Sequence, residues 1–222
     1  MRRLVLWRHG RTAWNAEHRF QGQSDVPLDH VGQEQAARAA EVLARLGPTV
    51  IVSSDLQRTR STAEALSIAA GLPVTTDPRL RETFAGSWQG LTRDDIKRTD
   101  GADFAAWAGG SDIKPGGGER RSEVAARMIA GINDTLGATG DDSVVVVVTH
   151  GGSARAAIGA LLNLPFEHWA ALGVLTNCAW SVLLENDHLA HSGVSRWRLQ
   201  EYNAGSLPEP VPVDGVWPAD DR

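Results

Sequence analysis

With 222 residues, 42% of them hydrophobic, the chain can bury roughly 70–75% of its unfolded surface in one core, and residues 1–205 are read as a single domain followed by a Pro-rich tail over 206–222. Its formal net charge of −5, from 27 acidic residues against 22 Lys and Arg, excludes a broad basic face for nucleic acid, so any anion site must be a local cluster of Arg and His. Cys178 is the single cysteine, which excludes an intrachain disulfide and favours a reducing compartment.

Met1-Arg2-Arg3 precedes only the apolar residues Leu4 to Trp7, too few for a signal peptide. The apolar run Val144–Val148 is far short of the roughly 20 residues of a membrane helix. The expectation is a soluble, cytoplasmic protein with no membrane or nucleic-acid partner.

In chain order, Arg3–Trp7 reads as a buried strand that stops abruptly at Arg8-His9-Gly10. Gly10 lets the backbone turn tightly or approach a ligand closely. His9 is thereby held at the mouth of a sheet beside a permanent cation, which suggests contact with a phosphate. Asn15 suits a helix cap, and Gln21-Gly22-Gln23 is a polar loop. Asp29 caps a helix to about Leu46 that Gly47-Pro48 ends. Thr49–Val52 is a second strand, and Ser53-Ser54-Asp55 is a polar turn capping a helix from about Leu56 to Ala70, closed by Gly71. Arg58 falls in the first turn of that helix, where a cation opposes the helix dipole by roughly 0.3–1 kcal/mol; a bound phosphate would explain the placement.

Val74–Thr76 is a third strand. Residues 79–118 are irregular and rich in Gly and Trp, with short helices near Asp94–Thr99 and Phe104–Trp107, and read as a lid-like insertion. Early in it, Glu82 supplies a carboxyl group able to protonate a departing alkoxide. Glu119 to about Leu136 is a strong helix. The five valines of Ser143–Thr149 fit a central strand covered on both faces. His150-Gly151-Gly152 follows, then a helix to about Leu162, and Leu175–Leu184 and Arg196–Gln200 read as late strands.

This alternation predicts an α/β three-layer sandwich with a mostly parallel central sheet. In such a sheet Arg8-His9-Gly10 and His150-Gly151-Gly152 share the carboxyl edge, where ligands bind. Gly10, Gly151 and Gly152 then leave backbone N–H groups for an anion, and the helix after Gly151 points its positive end there. The remaining histidines read as surface or packing residues, and most of the eight tryptophans as packing. Trp88, Trp107 and Trp169 are the candidates for lining a pocket, and Trp217 for a subunit contact.

Arg8-His9-Gly10-x-Thr12-x-x-Asn15, Ser53-Ser54-x-Leu56-x-Arg58, Arg81-Glu82 with Gly86-x-Trp88-x-Gly90, and His150-Gly151-Gly152 together resemble the signature of the histidine phosphatase superfamily (branch 1), which includes the cofactor-dependent phosphoglycerate mutases. The resemblance implies that His9 is a nucleophile forming a phosphohistidine. It implies that Arg8, Arg58 and His150 clamp the phosphoryl oxygens, that Glu82 is the proton donor, and that Asn15, Gln21 and Gly22 contact phosphate. No metal and no cofactor is implied. Arg11 stands where the family commonly has Glu or Gln and is expected to add an anion contact, as is Gly151. The loop Gly116-Gly117-Gly118 before Glu119 resembles one the family places near the site. The short insertion and the Gly-x-Trp-x-Gly form resemble the family's phosphatases rather than its mutases, which implies hydrolysis. A finer likeness over Arg81-Glu82-Thr83 to Thr92, Leu162 to Pro165 and Arg196-Trp197-Arg198-Leu199 implies a small phosphorylated metabolite as substrate, such as glucosyl-3-phosphoglycerate or a related phosphoglycerate or sugar phosphate. Phosphoryl transfer of the mutase type is the alternative, and inactive binding of phosphorylated ligands the least supported. The resemblance also implies a homodimer, with the apolar Leu175–Leu184 strand near its interface.

Overall fold

The computed structural model describes residues 1–186 and 195–205. The tail 206–222 with Trp217, and His188 and His191, lie outside the described residues. The strands are β1 (Arg3–Arg8), β2 (Val50–Ser53), β3 (Val74–Thr76), β4 (Val144–Thr149), β5 (Trp180–Glu185) and β6 (Trp197–Ala204). They form one sheet in the order β3-β2-β4-β1-β5-β6. β1 to β4 pair in parallel, and β5 pairs antiparallel with both of its neighbours. The helices are α1 (Ala13–Ala16), α2 (His30–Ala44), α3 (Gln57–Ala70), α4 (Arg93–Ala108), α5 (Arg121–Gly137) and α6 (Gly151–Leu161).

Side chains alternate across each strand, so the sheet feeds two cores. Leu4, Leu6, Val52, Val145 and Val147 pack with Val124, Met128 and Ile132 of α5 and Ala157 and Ile158 of α6. Val5, Trp7, Ile51, Val146 and Val148 pack with Ala36, Ala39, Ala40 and Leu43 of α2 and Ala63 and Leu66 of α3. The valine run of β4 is apolar throughout because helices cover both of its faces. A third, smaller cluster lies outside the sandwich: Ala85, Trp88, Ile96 and Phe104, with Phe20, Leu91 and Trp107 against it. It gives the insertion a core of its own.

The two short helices of the insertion are present as the two parts of α4, which breaks at Asp100 (φ −132°, ψ 39°); the Asp100 carboxylate accepts a hydrogen bond from Trp88 Nε1 at 2.9 Å. Several expectations shift. The turn Ser53-Ser54-Asp55 does not cap α3. Its N-cap is Leu56, without a side-chain bond, and the free amide of Gln57 donates instead to Asp25 at 2.7 Å. Asp55 pairs with Arg81. The late strand begins only at Trp180, because Cys178 takes a left-handed φ of 58° in a turn that serves the site. That strand is internal and its Trp180–Leu183 segment is buried.

Candidate active site

β1 and β4 are adjacent, and their register pairs Arg8 with Thr149. The next residue of each chain, His9 and His150, therefore emerges side by side at the carboxyl edge. Their rings lie 5.2 Å apart at 63°, and both residues are buried, at 3% and 0% exposure.

Backbone bonds fix His9 from several directions. Its N–H donates to Thr149 O at 3.0 Å. Its carbonyl accepts from Cys178 N at 3.1 Å and from Asn177 Nδ2 at 3.1 Å. Its Nδ1 lies 2.7 Å from Gly10 O; a carbonyl only accepts, so Nδ1 carries the hydrogen and Nε2 keeps its lone pair. Burial, then the Arg58 and Arg8 guanidinium groups, push the His9 pKa well below 6.5, which keeps the ring neutral. His150 is also held neutral, by burial first and then by Arg58. Arg58 Nε donates to His150 Nδ1 at 3.2 Å, which leaves the ring hydrogen on Nε2, 3.0 Å from Ser54 Oγ.

Arg58 is 0% exposed, and burial lowers its pKa to about 10. It also donates to Ser24 O at 2.7 Å and Gly22 O at 2.8 Å, so it fixes the polar loop that forms one rim of the cleft. Gly22 has φ 52°, and a Cβ there would lie 2.2 Å from Gln89 Oε1. Arg8, His9, Asn15, Gln21, Arg58 and Glu82 all face one cleft. Asn15 closes a capping box with Thr12, and the buried Oε1 of Gln21 makes no hydrogen bond.

Glu82 takes the place expected for a bound anion at the start of α6. Its Oε1 accepts from Thr83 N at 2.9 Å, Ser153 N at 2.9 Å and Ser153 Oγ at 3.0 Å. Its Oε2 accepts from Gly152 N at 3.0 Å. Glu82 thus lies against the positive helix end, and Oε2 is the oxygen with a lone pair to spare for a proton.

The model of the histidine phosphatase superfamily (branch 1) matches residues 4–203. The chain belongs to this superfamily. It is 42% identical over 217 residues, 93% of this chain and 96% of the other, to a glucosyl-3-phosphoglycerate phosphatase of Mycolicibacterium vanbaalenii. It is 37% identical over 183 residues, 82% and 84% of the two chains, to a probable phosphoglycerate mutase of Salmonella paratyphi C. The solved structure of a mycobacterial glucosyl-3-phosphoglycerate phosphatase with VO3 superposes with a TM-score of 0.85 at 42% identity, covering 92% of this chain and all (100%) of that one.

In this histidine phosphatase three expected residues do not face the cleft. Arg11 turns away, donating through Nε to Asp29 at 2.8 Å. Gly151 lies behind Arg8, and a Cβ there would sit 2.5 Å from Val174 Cγ1. His150 stands behind His9 with both ring nitrogens engaged, so contact with a phosphoryl oxygen requires it to exchange one of those bonds. Gly10 approaches α2 rather than a ligand: a Cβ on it would lie 2.3 Å from Gly32 O. Trp107 lines the cleft, as does Pro115 of the glycine-rich loop. Trp88 is fully buried at 0% exposure, and Trp169 lines a neighbouring cavity.

Sequence reasoning missed Asn177, which ties His9 O to Asn15; neither motif nor spacing marks it. It also missed Arg127, which forms a two-pronged ion pair with Glu119 and donates to the Arg79, Arg81 and Glu82 carbonyls, fixing the backbone that presents Glu82. His18, expected as a surface or packing residue, is exposed and stands at the cleft at φ 54°. Among the described residues no group of three or more His, Cys, Asp and Glu is arranged to hold a metal ion, and no helix is long and apolar enough to cross a membrane.

Proposed function

We propose that this histidine phosphatase hydrolyses a phosphate monoester through a phosphohistidine on His9. The observation that carries the reading is the tautomer of His9: Nδ1–H is committed to Gly10 O, so a neutral Nε2 lone pair is the nucleophile. Nε2 attacks phosphorus and the P–O ester bond breaks. Glu82, protonated at Oε2, gives that proton to the leaving alkoxide. Water then attacks the phosphohistidine, Glu82 takes its proton, the N–P bond breaks and inorganic phosphate leaves. Arg8 and Arg58 offset the charge on the equatorial oxygens, Asn15 and Gln21 contact the same group, and His150 supports the His9 ring. Each functional group on the substrate side of this scheme lies in one cleft.

We further propose a small phosphorylated metabolite as substrate, with glucosyl-3-phosphoglycerate and related phosphoglycerates first, on the likeness to the phosphatases named above. The single cysteine supports a reducing, cytoplasmic setting. Mutase chemistry, in which His9 returns the phosphoryl group to a second hydroxyl, is the competing reading, favoured by the likeness to the probable mutase. The Gly86-Ser87-Trp88-Gln89-Gly90 segment supports hydrolysis. The test is phosphate release from a panel of esters in the presence of a chelator. Release is expected, fastest from phosphoglycerate esters. Interconversion of 2- and 3-phosphoglycerate without release would replace hydrolysis by the mutase reading.

A further inference from the structure

The phosphate end of the cleft is already supplied with cations, yet a further one waits beyond it. Arg155 lies one helical turn past Gly151 on α6 and lines both the catalytic cleft and the neighbouring cavity. Among the described residues it makes no hydrogen bond or ion pair. Glu82 is the carboxylate that acts on it, while the Tyr202 hydroxyl is neutral, burial raising its pKa to about 12, and donates to Gly173 O. Burial lowers the Arg155 pKa. A half-buried guanidinium with no partner is costly, because its donors have lost water and gained nothing.

A second cation stands beside it. Arg121 shares the neighbouring cavity and repels Arg155. It is held in place, with its guanidinium 4.7 Å from the Trp107 ring and NH2 donating to Trp107 O at 2.7 Å. Two like charges kept at one cavity, neither of them in an ion pair among the described residues, raise the local potential for an anion.

The position says which anion. Arg155 feels Glu82, the proton donor to the leaving oxygen, so it faces the alcohol half of the ester and not the phosphoryl half. Planar guanidinium groups bind planar carboxylates in two-pronged fashion. In a 3-phosphoglycerate skeleton only two carbons separate the carboxylate from the ester oxygen, so its carboxylate stays within the cleft that Glu82 and Arg155 both line.

We propose that Arg155, reinforced by Arg121, is a carboxylate subsite that selects phosphate esters of hydroxy acids over neutral ones. The inference rests on the hydrolase reading above and adds the group by which the alcohol is chosen. The experiment compares 3-phosphoglycerate with glycerol 3-phosphate, the same skeleton with a hydroxymethyl group in place of the carboxylate. Arg155→Met should raise KM for 3-phosphoglycerate about tenfold or more with kcat little changed, and should move kcat/KM for glycerol 3-phosphate less than about threefold. Arg155→Lys should recover part of the lost affinity. Equal losses on both esters would assign Arg155 a structural role and overturn the subsite, as would no loss on either. If the unsubstituted protein releases phosphate from neither of these nor from any ester of the panel above, the hydrolase reading falls by itself. The subsite is then decided by calorimetric titration of the two esters, where preference for 3-phosphoglycerate that Arg155→Met abolishes supports it and equal affinity overturns it.

Discussion

The two walls of the cleft are built on different principles. On one side, His9, Arg8 and His150 stand at the ends of adjacent central strands, and strand register sets their positions. Their surroundings are the main cores, in which Leu4, Leu6, Val146 and Val148 are all at 0% exposure. On the other side, Trp107, Pro115 and Arg93 come from the insertion, which rests on the aromatic cluster of Phe20, Trp88, Phe104 and Trp107, with centroids 5.2 to 6.5 Å apart. The strand ends and α6 thus hold the reacting groups, with Glu82 docked on the α6 amides, while the small separate core shapes the opposite rim of the cleft. Changes to the reacting groups of the first wall should strike kcat, and changes on the second wall should strike KM and local stability.

The sharpest test of the first wall is His9→Ala, expected to lower kcat by about 10⁴-fold or more and to abolish acid-labile labelling of the protein by radioactive substrate. Retained labelling would remove His9 as the nucleophile. Glu82→Gln is expected to lower kcat by about 10²–10⁴-fold on an alkyl phosphate and far less on p-nitrophenyl phosphate, whose leaving group departs without a proton; equal losses would contradict the proton-donor role. On the second wall, Phe104→Ala should cost about 3–5 kcal/mol of stability, read by urea denaturation. KM for the physiological ester should rise more than kcat falls, and a pure kcat effect would dissolve the distinction between the walls.

Acidification probes the first wall again. Both buried histidines have folded pKa values below the ordinary 6.5, so the unfolded chain binds more protons as pH falls. Their stabilising contribution is complete above about pH 6.5 and is lost as pH drops toward the folded values, at up to about 1.4 kcal/mol per histidine per pH unit. Tm should therefore decline from pH 6.5 to 5.5, and His9→Gln with His150→Gln should flatten the decline; an unchanged slope in the double variant would assign it to other groups. The smallest effect is expected from Arg11→Gln, which breaks the ion pair with Asp29. It should cost no more than about 1 kcal/mol and leave kcat/KM within about twofold, whereas a large KM effect would bring Arg11 back to the substrate.

The histidines at two strand ends, the valine strand between helices and the carboxyl edge as the place of chemistry were legible because a strand is a local pattern. An apolar run, a glycine and a parallel connection fix where its end lies. The insertion was less legible: its two short helices on either side of Asp100 follow from local pattern, but the bond that ties this break to Trp88 joins residues that local propensity treats separately. Arg11 shows the same limit. Standing where the family commonly has Glu or Gln, it was expected to add an anion contact, yet Asp29, distant in sequence, captures it.

By itself the sequence determined the order of strands and helices and the residue types that meet at the carboxyl edge, since both follow from periodicity and from motifs a few residues long. The tertiary structure alone decided the tautomers of His9 and His150, the docking of Glu82 on the α6 amides, and which arginines keep a hydrogen bond to spare. Those properties belong to partners brought together across 70 residues, as for Glu82 and Gly152, or 92, as for Arg58 and His150. No local pattern encodes such encounters, because they exist only once the sheet has closed and water has left.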